Sequence, residues 1–319
     1  MAPPVRIAVL DDYQGVALTS ADWSAVQARA EVTVFNDHLD DPDAVAARLL
    51  PFDVACVMRE RTPLTRAILE RLDRLRLVCS TAPRNASIDL AAAHELGVVV
   101  CHSGYSSHGA MELTWALILA AARRLPEERA SLRAGGWQRH VGGDLRGRTL
   151  GVVGLGNIGR RIAKVAQAFE MDVVAWSQNL TSEAAEAAGA RLLDKAALLA
   201  QSDFVTLHLV LGPRSRGVIG AAELARMKPG AWLVNTSRGP LVDEAALVAA
   251  LERKAIAGAA LDVFDTEPLP PGHPFRTLPN VLATPHVGFV TEATYRIFYG
   301  DTVGNILAWL DGAPIRVMG

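Results

Sequence analysis

The sequence has little of what marks a secreted, membrane-spanning or nucleic-acid-binding protein. Of its 319 residues only three are cysteine, Cys56, Cys79 and Cys101, and they stand far apart in the chain, each beside apolar, strand-like neighbours. An odd count excludes a complete disulfide framework, and no pair has metal-ligand spacing, so buried reduced thiols are expected. There is no basic excess: 32 Lys and Arg against 34 Asp and Glu leave a net charge of −2. A general nucleic-acid binder needs such an excess to release counterions from phosphates, so no nucleic-acid partner is expected. No long hydrophobic run is present either. The most apolar helix-like stretch, residues 113–122, is half of the roughly 20 residues needed to cross a bilayer. The first strand-like run, residues 5–10, follows only four residues and is too short and too polar at its end for a signal-peptide core. The expectation is a cytoplasmic protein with no membrane partner. His102, His108 and His140 share no metal-ligand spacing, and no metal site is expected.

What the chain does contain is an ordinary globular balance, 50% apolar and 21% charged. At roughly 150 residues per domain, its length fits about two domains. Short apolar runs alternate with longer Ala-, Leu- and Arg-rich segments. In the first part the strand candidates are residues 5–10, 32–35, 54–58, 77–80 and 98–101, with helix-like stretches at 42–50 and 64–72 between them. A second series gives strands at 150–154, 173–176, 204–209, 232–235, 257–261 and 281–283. Strand–helix alternation at this pitch predicts parallel sheets, and the second series predicts a six-stranded doubly wound sheet. Residues 110–124 are apolar nearly all round and should be buried at a domain or subunit interface. The polar stretch 125–148 is long for a connection and reads as a functional or packing arm. One more helix is expected over 292–310.

The second series opens on a motif with a mechanism. Gly154-Leu-Gly-Asn-Ile-Gly159 is G-x-G-x-x-G, placed between an apolar strand and a helical run over 160–169. The first glycine, Gly154, permits the tight turn; Gly156 lets the backbone approach a pyrophosphate; Gly159 lets helix and strand pack closely. With Asn157 and Ile158 they open a helix whose N-terminus attracts phosphate. The next strand should end in an acid that binds the adenosine ribose. Here Ser177 takes that place, followed by Gln178 and Asn179. Without a carboxylate nothing repels a 2′-phosphate, so NADP(H) is favoured over NAD(H) as the cofactor. Arg160 and Arg161 follow the motif, but their direction is not legible from sequence.

With these segments in view, the sequence resembles the D-isomer-specific 2-hydroxyacid dehydrogenase family over essentially its whole length. The resemblance is carried by residues 154–159 and by Asn235-Thr-Ser-Arg-Gly-Pro240, Ala260-Leu-Asp-Val-Phe-Asp-Thr-Glu-Pro268 and Thr284-Pro-His-Val-Gly288, in the family's order. It implies two doubly wound parallel-sheet domains of α/β class. A flavodoxin-like substrate-binding domain would comprise residues 1–101 and 290–319. A Rossmann dinucleotide-binding domain would comprise residues 102–289, leaving no residues for a regulatory module. It also implies catalytic roles for Arg238, Glu267 and His286, and a part for Asp262 at the nicotinamide end.

The chemistry of these residue types agrees. Reducing a 2-keto acid needs a cation to hold the carboxylate and polarise the carbonyl, which suits the guanidinium fork of Arg238. It needs a proton donor at the oxygen, which suits His286, and a paired Glu267 would orient that ring and favour its charged form. On the substrate side, Arg59 in the segment Val57-Met-Arg-Glu-Arg-Thr-Pro63 is a candidate for an acidic or distal group. A second substrate loop, where a glycine cradle for the carboxylate is expected, instead carries Ala82, Pro83 and Arg84. Proline removes a donor, so the cradle must be rebuilt, with Arg84 able to compensate. His208 is expected to serve local packing. The resemblance further implies a homodimer, with Trp137 of the 125–148 arm near the partner. Two other readings stay open: phosphoglycerate dehydrogenase, and a dinucleotide-sensing corepressor on the same scaffold.

Overall fold

Runs apolar on both faces become the inner strands of the first sheet, while the alternating run Ala30–Val34 becomes an edge strand. In the computed structural model, which describes residues 4–319, these are β1 (Val5–Val9), β2 (Ala30–Val34), β3 (Val54–Val57), β4 (Leu77–Ser80) and β5 (Val99–His102). They form one parallel sheet in the order β2-β1-β3-β4-β5, the flavodoxin-like order. The second series gives β6 (Thr149–Val153), β7 (Asp172–Trp176), β8 (Arg191–Leu192), β9 (Phe204–Leu207), β10 (Trp232–Asn235), β11 (Gly258–Leu261) and β12 (Val281–Ala283). Their order is β12-β11-β10-β9-β6-β7-β8, again parallel throughout. The sheet has seven strands where the sequence predicts six. The extra one, β8, is two residues long, too short to leave a periodic signal.

The chain divides into two units, Met1–Ser106 with Val290–Gly319, and Ser107–Phe289, each built on one of the sheets. In the first unit, the helix Glu292–Leu310 returns to pack on β4 and β5. Beyond it, Val317 bridges to Cys101 in antiparallel fashion, and the Met318 amide donates to the Val100 carbonyl at 2.7 Å. The three cysteines, far apart in the chain, are neighbours in this sheet: Cys56 pairs with Cys79, and Cys79 with Cys101, in register across β3, β4 and β5. All three are buried and free. A hydrogen bond with Cys56 and burial push the Cys79 thiol well above its ordinary value, and burial pushes Cys101 up to about 11. Cys79 and Cys101 are therefore protonated thiols at neutral pH.

In the second unit, the helix His108–Ala122 buries Ala110, Thr114, Trp115, Leu117, Ile118 and Ala121, a face wide enough to explain its all-round apolarity. It packs inside its own unit, against the helix Asn157–Ala168 and strands β10 and β11. That helix begins at Asn157, three residues before the predicted start, so the last glycine of the motif lies within it. Its buried residues, Gly159, Ile162, Ala163 and Ala166, follow helical spacing. The 125–148 arm contains a further helix, Leu125–Arg133. Among the described residues no helix is long and apolar enough to cross a membrane.

Candidate active site

In the second sheet β6 is flanked by β9 on one side and β7 on the other, so the direction of winding reverses beside it. Ligands of open α/β sheets bind outside the carboxyl ends of strands at such a switch point. The glycine turn lies there, and its three glycines do three different things. Gly154 has φ +102°, and a Cβ on it would stand 2.7 Å from the carbonyl of His208. Gly156 has nothing within 4 Å of where a Cβ would stand. A Cβ on Gly159 would stand 2.1 Å from the carbonyl oxygen of Gly154. The first and third are fixed by close backbone contact, whereas the second leaves open space. Gly156 also caps the helix without any side-chain hydrogen bond, so its first-turn N–H groups remain for a ligand. These residues fit a dinucleotide pyrophosphate.

Around the turn, Ser177, Gln178 and Asn179 follow β7, and the Gln178 amide donates to the Arg214 carbonyl at 3.0 Å. Arg160 turns back to the carbonyl of Leu155, and Arg161 reaches the His108 ring at 2.9 Å. His208, just past β9, is partly buried, with its ring nitrogen Nδ1 shielded from solvent. Its Nε2 meets the Thr206 hydroxyl at 2.9 Å, Nδ1 has no partner, and burial drives its pKa from 6.5 to about 3. It is a neutral packing histidine.

Three neighbouring strands supply the remaining groups. Past β10, the Asn235 side chain donates to the Arg238 carbonyl at 2.9 Å and accepts from the Ser237 amide, while the Ser237 hydroxyl donates to the Leu207 carbonyl. The Thr236 hydroxyl meets that of Thr114 at 2.7 Å. This network fixes the turn that carries Arg238. The next residue, Gly239, lies against the Phe264–Asp265 peptide so tightly that a Cβ would stand 2.0 Å from the Phe264 carbonyl carbon. The Arg238 turn is thereby held against the backbone leading to Glu267. Past β11, one oxygen of Glu267 accepts from the Phe264 amide at 2.9 Å and the other lies 2.5 Å from His286 Nδ1. A carboxylate only accepts, so Nδ1 carries the proton and Nε2 is left as the reactive nitrogen. The His286 and Glu267 side chains are a quarter to a third exposed, open to a small ligand.

His286 itself has φ +51°, unusual for a residue with a side chain. Asp262, buried at the end of β11, explains how that conformation is kept. Its carboxylate accepts from the Thr284 hydroxyl at 2.6 Å and from the amides of Val287 and Gly288, both at 2.8 Å. The residues on both sides of His286 are thus tied to one acid, and the Phe289 ring meets the imidazole edge-on at 5.4 Å. Burial pushes the Asp262 carboxyl up, against these hydrogen bonds, which favour its charged form.

In the first unit, Arg59 (φ +56°) sits past β3. Its amide donates to the Thr81 hydroxyl, its carbonyl accepts from Asn85, and its guanidinium lies 5.2 Å from the centre of the Tyr105 ring. Past β4, Ala82 adopts φ +69° with its side chain buried, and its amide donates inward to the Ser103 hydroxyl at 2.8 Å. Pro83 and Arg84 are exposed. The left-handed conformation that favours glycine is present at this turn, but the Ala82 N–H is already committed.

The structure brings Glu267 and His286 together, sets the Arg238 turn against the same backbone, and gives Asp262 the loop of His286. Sequence reasoning missed Thr284, Ser237, Ser103 and Arg214. Of these Thr284, beside the Pro-His pair, and Ser237, beside Arg238, lie inside segments that carry the family resemblance. The others act through backbone groups that no spacing reveals.

A doubly wound sheet with an open glycine turn at its switch point and a paired His–Glu beyond neighbouring strands defines a dinucleotide-binding protein equipped for proton transfer. Comparison with known proteins agrees. Residues 115–288 match the family described as D-isomer specific 2-hydroxyacid dehydrogenase, NAD binding domain. The chain is 42% identical over 240 residues to D-3-phosphoglycerate dehydrogenase of Methanocaldococcus jannaschii, a match covering 74% of this chain and 46% of that enzyme. It is 40% identical over 255 residues to glyoxylate reductase of Aeropyrum pernix, covering 77% of this chain and 76% of that one. A crystal structure of phosphoglycerate oxidoreductase from Vibrio cholerae O395 superposes with a TM-score of 0.92 at 38% identity, over 97% of this chain and all of the other. The chain belongs to the D-isomer-specific 2-hydroxyacid dehydrogenase family. It spans about half the length of the phosphoglycerate dehydrogenase it matches.

Proposed function

We propose that this protein interconverts a 2-keto acid and its D-2-hydroxy acid with NAD(P)(H), glyoxylate or hydroxypyruvate being the default substrate. The observation that carries the reading is the His286–Glu267 pair at 2.5 Å, beside the buttressed Arg238 turn. The glycine turn Gly154–Gly159 would hold the coenzyme, which when bound would supply a hydride to the carbonyl carbon or accept one from the hydroxyl-bearing carbon. Arg238 binds the substrate carboxylate and draws charge toward the carbonyl oxygen as it becomes an alkoxide. His286 gives the proton on Nε2 to that oxygen and, in the oxidative direction, takes it back. Glu267 holds the other nitrogen and stabilises the imidazolium that the oxidative direction forms. Asp262 holds the loop on which His286 is presented.

NADP(H) is the favoured coenzyme in this reading, because the turn after β7 holds no carboxylate to repel a 2′-phosphate. Arg59, Ala82, Pro83 and Arg84 are assigned to the substrate, with Arg59 the cation for an acidic or distal group. The unit Met1–Ser106 with Val290–Gly319 is accordingly the substrate-binding domain, and the other unit the coenzyme domain. A homodimer formed through the 125–148 arm is supported by Trp137 and Val141, which are 72% and 95% exposed there. The cytoplasm is the proposed location, consistent with three reduced thiols.

The test is a panel of 2-keto acids, including glyoxylate, hydroxypyruvate, pyruvate and a phosphorylated keto acid, each run with NADH and NADPH. Consumption of reduced coenzyme with at least one small keto acid is expected, with higher kcat/KM for NADPH. Coenzyme binding with no turnover on any member would favour the corepressor-like reading.

A further inference from the structure

The turn after β7 lacks an acid, yet it also lacks a cation, and a 2′-phosphate needs one. The cation is available from the other side of the glycine turn. Strands β7 and β9 flank β6, so the segments that follow them border the same switch point. Residues 173–181 and 209–217 together contain two arginines, Arg214 and Arg216, and no Asp or Glu.

Three other cations in this part of the unit are hydrogen-bonded or ion-paired. Lys195 is paired with Glu223 at 2.7 Å and donates to the Val218 carbonyl. Arg160 and Arg161 are hydrogen-bonded to Leu155 and His108. Arg216 lies in the field of Asp265. Arg214 differs. Its backbone carbonyl is clamped to the Gln178 side chain at 3.0 Å, which ties it to the turn that occupies the ribose-binding position. The loop behind it is braced by Ser215, a largely buried residue whose hydroxyl accepts from the Gly212 amide and donates to the Val210 carbonyl. Arg214 itself is exposed, and its guanidinium has no hydrogen bond or ion pair among the described residues.

We infer that Arg214 reads the adenosine 2′-phosphate of NADP(H), supplying from the β9 loop the cation that the β7 turn lacks. The fork approaches a phosphate beside Ser177, whose hydroxyl adds a donor, while Gln178 is spent on holding Arg214 in place. The inference rests on the NADP(H) reading above and gives that reading its specificity residue.

Binding of 2′,5′-ADP and of 5′-ADP to the full chain, measured by calorimetry, separates the two. The unaltered protein should bind 2′,5′-ADP about tenfold or more tightly than 5′-ADP, the worth of one charge-assisted contact. Arg214→Ala should remove that discrimination while leaving 5′-ADP affinity unchanged, which also reports an intact fold. Arg214→Lys should keep part of it, retaining charge but not the fork. If the unaltered protein does not discriminate, the NADP(H) reading fails and the inference with it. If it discriminates and Arg214→Ala does so equally, the reading stands and the inference is overturned. Loss of 5′-ADP binding in Arg214→Ala would overturn it as well, by showing a role in the loop itself.

Discussion

The turn after β6 and the turn after β4 occupy equivalent places, each just past the carboxyl end of a parallel strand, and they handle the same backbone demand in opposite ways. After β6, Gly154 and Gly159 face other backbone atoms at 2.7 and 2.1 Å from a would-be Cβ. No side chain can substitute there, because peptide groups cannot move aside cheaply. After β4, the left-handed conformation falls on Ala82, at φ +69°, with no glycine in the turn. That conformation costs an L-residue about 1–2 kcal/mol, which a buried methyl and a hydrogen bond to Ser103 can offset. A turn shaped by contact therefore declares itself in sequence, whereas a turn shaped only by φ can be carried by an ordinary residue. The β6 turn keeps its open N–H groups. The β4 turn has spent one on Ser103 and, at Pro83, has none to give.

This contrast can be broken at either turn. The largest effect is expected from Gly159→Ala, which places a methyl against the Gly154 carbonyl and should cost upwards of about 2–3 kcal/mol. Urea unfolding should show it, together with loss of coenzyme binding; an unchanged midpoint would mean that the turn relaxes freely. Next comes His208, whose backbone lies against Gly154. Burial lowers its pKa from 6.5 to about 3, so between those values the unfolded chain binds a proton that the folded one does not. Its contribution to stability is thus complete above pH 6.5 and is lost on acidification, by up to about 1.4 kcal/mol per pH unit. His208→Asn should flatten the fall in unfolding midpoint below pH 6.5 relative to the unaltered protein; parallel curves would contradict the assignment. The smallest effect is expected at the other turn. Ala82→Gly relieves the φ penalty but loosens the unfolded chain, so stability should change by less than about 1 kcal/mol. A large loss would show that the buried methyl, rather than the φ value, governs this turn.

Much of this architecture was legible beforehand because its signals are local. The strands over 77–80, 232–235 and 281–283 and the helix over 292–310 emerge with their predicted bounds, each an apolar run bounded by polar or turn residues. The two-residue β8 left no pattern to read. The cysteine row across β3, β4 and β5 depends on strand register, which separation along the chain conceals. In the site, Arg238, Glu267 and His286 each follow a recognisable strand. The ties from Asp262 to the amides of Val287 and Gly288 depend on backbone direction, as does the hold of Gln178 on Arg214. Residue types announce chemistry, and backbone partners decide where it is aimed.

The most direct measurement of the account is the turnover of His286→Gln on the best keto acid of the panel, alongside its affinity for reduced coenzyme. The glycine turn and the Arg238 network are untouched by this change, so coenzyme affinity should stay within about twofold while kcat falls by about a thousandfold or more. A variant that binds coenzyme normally and keeps a substantial share of its kcat would contradict the assignment of His286 as the proton donor.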